Sequence, residues 1–187
     1  MSVTRQRMAV TTEGATKVND FHDDEALVRR TFAQFPSGVS VLSVDYAGEK
    51  HALVVSSFMV GVSLNPCLVA VAVQKNSQSW PIVRRAETIG VSIFATGQGP
   101  LTRQLAGKDR AKRFERVAVE VNQSGAVYIE DAAMWLETRL FSETDAGDHW
   151  MILLHVTRMG VDENTDPLLW HGSRFREFAT ETSFDLE

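Results

Sequence analysis

The sequence contains one cysteine, Cys67, and lacks any long apolar run. A single thiol cannot form an internal disulfide, which excludes a disulfide-stabilised secreted domain and favours a reducing compartment. No stretch reaches the roughly 18 consecutive apolar residues of a membrane helix, and the N-terminus lacks the apolar segment of a secretory signal. These absences predict a cytoplasmic protein without a membrane partner.

The sequence also has no long run of charges of one sign. Its net charge is −5, and acidic and basic residues are interspersed. Nucleic-acid binding usually needs a basic face, so no such partner is expected. The chain has no glycine-rich dinucleotide fingerprint, no Walker loop and no GxSxG nucleophile motif. The five histidines and the lone cysteine show no metal-ligand spacing, so no metal is predicted.

The sequence contains enough apolar residues to form a core. At 187 residues and 44% hydrophobic residues, it suits one domain. Residues 1–20 are polar and are predicted to form a flexible tail, with the folded domain over residues 21–187. A helix is predicted from Asp23 or Asp24 to about Phe35, and its Leu27, Phe32 and Phe35 are available to the core.

Strand-like patterns dominate the rest of the chain. Near-regular spacing of short strands with few helices favours an antiparallel barrel over a doubly wound parallel sheet. The predicted short helices cover 79–85 and 101–107. The predicted strands cover 39–46, 51–58, 67–74, 88–95, 133–142 and 149–159, and a hairpin at 168–178 closes the fold.

The segment QKNSQSWP, residues 74–81, joins a buried strand to a short helix. Asn76, Ser77 and Ser79 are typical helix caps, and Pro81 fits the first helical turn. Free N–H groups, hydroxyls and Lys75 at a helix start also suit an anion. The sequence leaves both interpretations open, an ordinary cap and a phosphate site.

Three further segments combine turns with polar side chains. SSF at 56–58 ends a strand, which can offer backbone groups to a flat polar ring or simply leave solvated serines. FPSGVSV at 35–41 makes a helix-to-strand corner at Ser37. DAGDHW at 145–150 places Asp148 and His149 at the entrance of a strand, as turn residues or as a ligand contact.

Taken in chain order, these segments resemble the flavin reductase family, the small reductase components of two-component monooxygenases. The matching blocks, from about Val28 to Phe178, are FAQFPSGVSVLSV, SSF…VSLNP, NSQSWP, KRFERV, GDHWMILLHV and PLLW…FREF. Ser37 stands where the family usually has Thr. The run Met59-Val60-Gly61 is one residue longer than usual, which suggests a β-bulge.

The resemblance implies a mainly β fold with short helices, a Greek-key split β-barrel that binds FMN, and a homodimer with the flavin near the interface. It implies that His149 orients the nicotinamide of NADH or NADPH, or the phosphates of that nucleotide, and that Asp148 fixes the tautomer of the imidazole. The flavin ring would lie against Pro36, Ser37, Val55, Ser56 and Ser57. The flavin phosphate would meet Lys75, Asn76, Ser77 and Ser79, with Arg113 and Phe114 nearby.

The function implied is an NAD(P)H-dependent flavin reductase. It transfers a hydride from NADH or NADPH to FMN or FAD and supplies the diffusible reduced flavin to a partner monooxygenase. Two alternatives stay open at this point. One is a split-barrel flavoprotein that retains its flavin as an oxidase or carrier, and the other is a ligand-binding barrel without catalysis.

Overall fold

The computed structural model describes residues 24–178; the predicted tail of residues 1–20 and the candidate cap Asp23 lie outside this range. Short antiparallel strands make up most of the described chain. The helices are α1 (Glu25–Phe32), α2 (Trp80–Val83) and α3 (Gly99–Leu105), and one 3₁₀ turn covers Arg110–Lys112. The strands are β1 (Ser37–Gly38), β2 (Ser40–Tyr46), β3 (Glu49–Val55), β4 (Met59–Leu64), β5 (Cys67–Gln74), β6 (Ile89–Ile93), β7 (Val119–Val121), β8 (Val127–Ile129), β9 (Met134–Ala146), β10 (His149–Val161), β11 (Leu169–His171) and β12 (Arg174–Arg176).

Seven of these strands form one antiparallel sheet in the order β3-β2-β6-β9-β10-β5-β4. The hairpins β2–β3, β4–β5 and β9–β10 supply the sequential pairs, and β5 lies against β10 by a long-range pairing. A small sheet β1-β11-β12 and the hairpin β7–β8 complete the fold. The prediction of a mainly β chain with short helices is therefore confirmed.

The apolar core has two parts, one on each face of β2. Leu42 and Val44 belong to the larger part, while Val41 belongs to the second, and all three are fully buried. Burial on both faces also encloses Ser43 of this strand, whose hydroxyl donates to the carbonyl of Val127 at 2.9 Å. Strand β8 passes over β6 at Gly90, where an added Cβ would overlap the Val127 carbonyl. Glycine at this position therefore lets the two strands approach.

Helix α1 begins at a predicted cap, but its apolar side chains do not reach the core. The Asp24 carboxylate accepts hydrogen bonds from the N–H groups of Ala26 and Leu27 at 2.9 and 3.0 Å. Leu27, Phe32 and Phe35 are 39%, 72% and 76% exposed. The prediction of their burial was wrong, because the described part of the chain does not cover the apolar face of α1.

The segment after β3 differs from the predicted strand over 51–58. Strand β3 ends at Val55, residues 56–58 form a loop, and β4 begins at Met59. Pairing of β4 with β5 is interrupted between Met59 and Ser63, and Gly61 has a φ of +72°. This interruption is the irregularity that the extra residue at Met59-Val60-Gly61 predicted.

The helices after α1 are short. Helix α2 covers only residues 80–83 of the segment predicted at 79–85, and α3 begins two residues before the segment predicted at 101–107. Within residues 24–178, no helix has both the length and the apolar character needed to cross a bilayer.

Candidate functional site

The β9–β10 hairpin explains why an acid and an imidazole stand side by side at residues 148 and 149. Ala146 and His149 are paired across the two strands, so Gly147 and Asp148 form a two-residue turn. Gly147 has a φ of +70°, a conformation that tight hairpin turns require and that glycine adopts without strain. The turn therefore places His149 as the first residue of a long strand.

Asp148 holds the imidazole of His149 in one orientation. Its Oδ1 lies 2.7 Å from Nδ1 of the ring. The hydrogen bond from His149 lowers the pKa of the Asp148 carboxyl, and the charge of the ring adds to the effect. Since an ionised carboxylate only accepts hydrogen bonds, Nδ1 carries a proton in this pair, and in the neutral form of the ring Nε2 keeps a lone pair. This geometry supports the positioning role predicted for Asp148.

His149 lines a pocket of about 410 Å³ between the end of β3 and the strands β5 and β10. The pocket lies on the face of β10 opposite the buried Ile152 and Leu154. Gln74, the last residue of β5, is paired with His149 and lines the pocket beside it. The other lining residues are Leu53, Val54, Val55, Ser56, Ser57, Ala72, Val73 and Ser77.

Two serines in the loop directly after β3 bring hydroxyl groups to one side of the pocket. Ser57 donates its hydroxyl hydrogen to the carbonyl of Ala72 at 2.7 Å, which ties the loop to β5. The Ser57 oxygen is left as an acceptor towards a ligand. The hydroxyl of Ser56 makes no hydrogen bond within the described residues, so it is available to a ligand. The wall beside them, from Leu53 to Val55, is apolar.

Lys75 follows the pocket along the chain but is already paired. Its Nζ donates to Asp145 Oδ2 and lies 4.9 Å from the centre of the Trp150 ring. The bond from Lys75 lowers the pKa of the Asp145 carboxyl. The anion site was predicted with Lys75 beside the helix start, and here Asp145 offsets the charge of that lysine. Ser77 accepts a hydrogen bond from the N–H of Trp80 at 3.2 Å, whereas Ser79, in the N-cap position of α2, makes no side-chain cap bond.

Arg113 is a structural clamp next to this segment. Its Nη1 donates to the carbonyl of Ala52 and to Oγ of Ser79, each at 2.9 Å, and its Nε donates to the carbonyl of Gly107 at 2.7 Å. Burial, and to a lesser degree the nearby charge of Arg110, lowers the pKa of its guanidinium. Ser79 is itself 7% exposed. These two predicted phosphate contacts thus bind each other and the protein backbone.

Replacing Arg113 is therefore expected to weaken the fold. An Arg113→Met variant loses three hydrogen bonds from a charged donor, and we expect the free energy of unfolding to fall by about 2–4 kcal/mol. Urea unfolding followed by circular dichroism measures the change, and Arg110→Met is the matched control. A variant of unchanged stability with impaired ligand binding would show that the guanidinium serves the ligand instead.

The remaining predicted site residues lie outside the pocket lining. Ser37 is in β1, paired with Trp170, and Pro36 precedes it. Phe114 packs against the second part of the core. Asn76 lies between Lys75 and the pocket-lining Ser77. The structure thus brings Val55, Ser56, Ser57, Ser77 and His149 together, and the roles of all these residues stay predictions.

The sequence did not single out two features of the pocket. Ala72 and Gln74 line it because alternate residues of β5 face it beyond the buried centre of the strand. Gln74 carried a usable signal, as a polar residue that ends an apolar run. The pairing of Lys75 with Asp145 had none, since it depends on the long-range pairing of β5 with β10.

A model of the flavin reductase like domain matches residues 32–179. A flavin reductase of Pseudomonas putida is 31% identical over 157 residues, which is 83% of this chain and 91% of the relative. The reductase component of 4-hydroxyphenylacetate 3-monooxygenase from Thermus thermophilus is 27% identical, over 79% of this chain and 93% of the relative.

A solved structure gives the same result for the fold. The NADH:FAD oxidoreductase SgcE6 of Streptomyces globisporus C-1027, in complex with NAD and FAD fragments, is 30% identical and superposes with a TM-score of 0.81. The match covers 88% of this chain and 100% of that one. The predicted split-barrel class is confirmed by this similarity.

Proposed function

The chain belongs to the family of the flavin reductase like domain, and on that basis we propose that it is a pyridine-nucleotide-dependent flavin reductase. The reaction moves a hydride from NADH or NADPH to FMN or FAD. The relatives named above include an NADH:FAD oxidoreductase, which favours NADH as the donor. The observation that carries the proposal is the pocket in which His149 faces the hydroxyl-lined end of β3.

The pocket suits a flavin in size and in lining. Its volume of about 410 Å³ lies within the range of roughly 300–1,000 Å³ that is usual for small-molecule sites. The apolar side chains of Leu53 and Val55 fit the faces of a fused aromatic ring. The hydroxyls of Ser56 and Ser57 fit its polar edge, because that edge alternates donors and acceptors.

A bound flavin supplies the acceptor for the hydride, which is chemistry that no side chain provides. The protein has to hold the donor carbon and the acceptor nitrogen roughly 3–3.5 Å apart. With its proton on Nδ1, His149 offers Nε2 to the carboxamide N–H of a nicotinamide. His149 therefore acts by orienting the nucleotide, since hydride transfer takes no proton from a side chain.

The flavin phosphate is proposed to meet the segment after β5. Ser77 lines the pocket, and Lys75 and Asn76 precede it. Lys75 is already paired with Asp145. A phosphate that binds Lys75 would therefore replace the Asp145 carboxylate as the partner of its ammonium group. Arg113 and Ser79 support this segment from behind through their mutual hydrogen bond.

We propose a partner monooxygenase that receives the reduced flavin by diffusion, as the name of the Thermus relative indicates for that protein. The lone Cys67 supports the cytoplasm as the compartment. The split barrel is proposed to span residues 21–187, preceded by the tail. A homodimer is supported by exposed apolar side chains on α1, directly after it and on β4, among them Phe32, Phe35, Met59 and Leu64.

The homodimer has a direct test. The chain has a mass of 20.8 kDa, so sedimentation equilibrium is expected to give twice that value at micromolar concentration. Leu64 is 88% exposed, and burial in an interface would stabilise the dimer. A Leu64→Asp variant is expected to shift the equilibrium towards monomer, with Glu49→Asp on the exposed start of β3 as control. A wild-type protein that sediments as a monomer would contradict the proposal.

The activity is tested by steady-state oxidation of NADH with no flavin, with FMN and with FAD added. We expect rapid loss of NADH absorbance that requires added flavin and saturates with its concentration. A protein that purifies yellow and turns over without added flavin would instead support a retained prosthetic group. A protein without flavin-dependent NADH or NADPH oxidation would contradict the proposed function.

A further inference from the structure

A second pocket of about 420 Å³ lies at the opposite end of the β9–β10 hairpin from His149. It includes Gly160, which is eleven residues beyond His149 along β10. At about 3.3 Å per residue, the two positions are separated by roughly 36 Å of strand. The second pocket shares no lining residue with the first. It is therefore a separate feature that flavin reduction does not explain.

The floor of this second pocket is formed by paired residues of β9 and β10. One of them, Gly160, has no side chain. Trp135 of β9 is paired with Gly160 of β10, and Glu137 is paired with Arg158. A Cβ built at Gly160 would meet only Cε3 of Trp135, at an ordinary distance of 3.8 Å. The indole is fixed because its Nε1 donates to the carbonyl of Ile129 at 2.7 Å. Glycine thus leaves open space beside a fixed aromatic ring.

The carboxylate of Glu137 is nine-tenths buried at this floor and is held by neutral donors. It accepts hydrogen bonds from Nδ2 of Asn122 at 2.5 Å, from the hydroxyl of Tyr128 at 3.2 Å and from the hydroxyl of Thr157 at 3.0 Å. Thr157 is the extra residue of a β-bulge in β10, between Val156 and Arg158. Three neutral donors satisfy the oxygens but leave the negative charge in place.

Few cations face this charge. Arg158 is the basic residue in the pocket lining, and its Nη1 lies 3.9 Å from Glu137 Oε2 with its side chain 76% exposed. That distance is too long for a hydrogen bond. Burial, followed by the charge and hydrogen bond of Glu137, raises the pKa of Tyr128 to about 12, so its hydroxyl stays a donor. Glu120, Glu130 and Asp131 add three further carboxylates to the lining.

We propose that this second pocket binds a small organic ammonium ion with an apolar body. An indole and a phenol in the lining attract a cation through the ring faces, and Trp and Tyr are the preferred partners. The carboxylates favour a positive ligand and oppose an anion such as a phosphate or a nucleotide. Apolar lining from Met159 and the Trp135 ring suits the hydrocarbon part of the ligand. The proposal does not depend on the proposed reductase activity.

Isothermal titration of the whole protein with benzylammonium chloride at neutral pH and low salt tests the proposal. We expect saturable binding at one site per chain, with a dissociation constant in the millimolar range or tighter. Benzyl alcohol, which has the same shape without the charge, is expected to bind at least ~10-fold more weakly. Benzoate is expected not to bind. This comparison uses the wild-type protein and requires no variant to fold.

Two variants and a control assign the site. Gly160→Leu fills the space beside Trp135 and is expected to abolish binding, and Glu137→Gln is expected to weaken it at least ~10-fold. Glu49→Gln removes an exposed charge outside the pocket and should change nothing. Saturating FAD should leave the titration unaltered, because flavin is proposed to occupy the first pocket.

Three outcomes would overturn the proposal. One is the absence of saturable benzylammonium binding, and another is equal affinity for benzyl alcohol. The third is competition with FAD, which would place the cation in the first pocket. Circular dichroism and urea unfolding of the variants show whether each one is folded, and if Gly160→Leu is not, Glu137→Gln assigns the site.

Discussion

An Ala72→Phe variant is expected to bind FMN and FAD at least ~100-fold more weakly than the wild type, a loss of about 2.7 kcal/mol. Ala72 lines the first pocket, and its carbonyl accepts the hydrogen bond that anchors Ser57. A phenyl group at this position fills the space proposed for the flavin ring. The hydrogen bond from Ser57 is kept, because it involves only the backbone of residue 72. Quenching of flavin fluorescence on titration measures the dissociation constant.

The control for this variant is Ala118→Phe, which adds the same bulk at an exposed position outside the pocket. Its flavin affinity is expected to equal that of the wild type. NADH oxidation by Ala72→Phe should fall in proportion to flavin occupancy and recover partly at high flavin concentration. Wild-type affinity in a folded Ala72→Phe protein would mean that the ring binds elsewhere.

A His149→Ala variant is expected to lose about 10- to 100-fold in kcat/KM for NADH, which corresponds to about 1.4–2.7 kcal/mol. The imidazole Nε2 is the group proposed to orient the nicotinamide. Flavin affinity should change by less than about threefold, since the ring is held chiefly by the end of β3. Steady-state kinetics with varied NADH, together with a flavin titration, separate the two effects.

Two further variants test whether His149 acts through its tautomer. Asp148→Asn removes the carboxylate that holds Nδ1–H and is expected to show the same kinetic pattern to a smaller extent. His155→Ala is the matched control, because His155 is on the same face of β10 but outside the pocket lining. If His149→Ala kept both its KM for NADH and its turnover, the proposed role of His149 would be wrong.

Local patterns predicted the parts of the fold that depend on near neighbours in the chain. Residues 67–74 form the buried strand β5 as predicted, since a continuous apolar run bounded by turn residues admits few other structures. For the segment that includes Gly147 and Asp148 the pattern allowed turn residues or a ligand contact, and the hairpin places both residues in its turn. Helix α1 begins at Asp24 because its carboxylate satisfies the first free N–H groups of the helix.

Features that depend on distant pairings were harder to predict. Phe32 and Phe35 have the spacing of core residues, and only the tertiary structure shows that nothing in the described chain covers them. Arg113 was expected beside a phosphate, but its hydrogen bonds to Ala52 and Gly107 join segments far apart in sequence. Short strands such as β7 and β8 carry too few residues for their period to be recognised.

The position of the flavin in crystals of this protein soaked with FAD tests the proposed site most directly. We expect density for the isoalloxazine ring between Ser57 and His149, over Ala72, with its phosphate near Ser77. Ring density at any other place, including the second pocket beside Trp135, would contradict it.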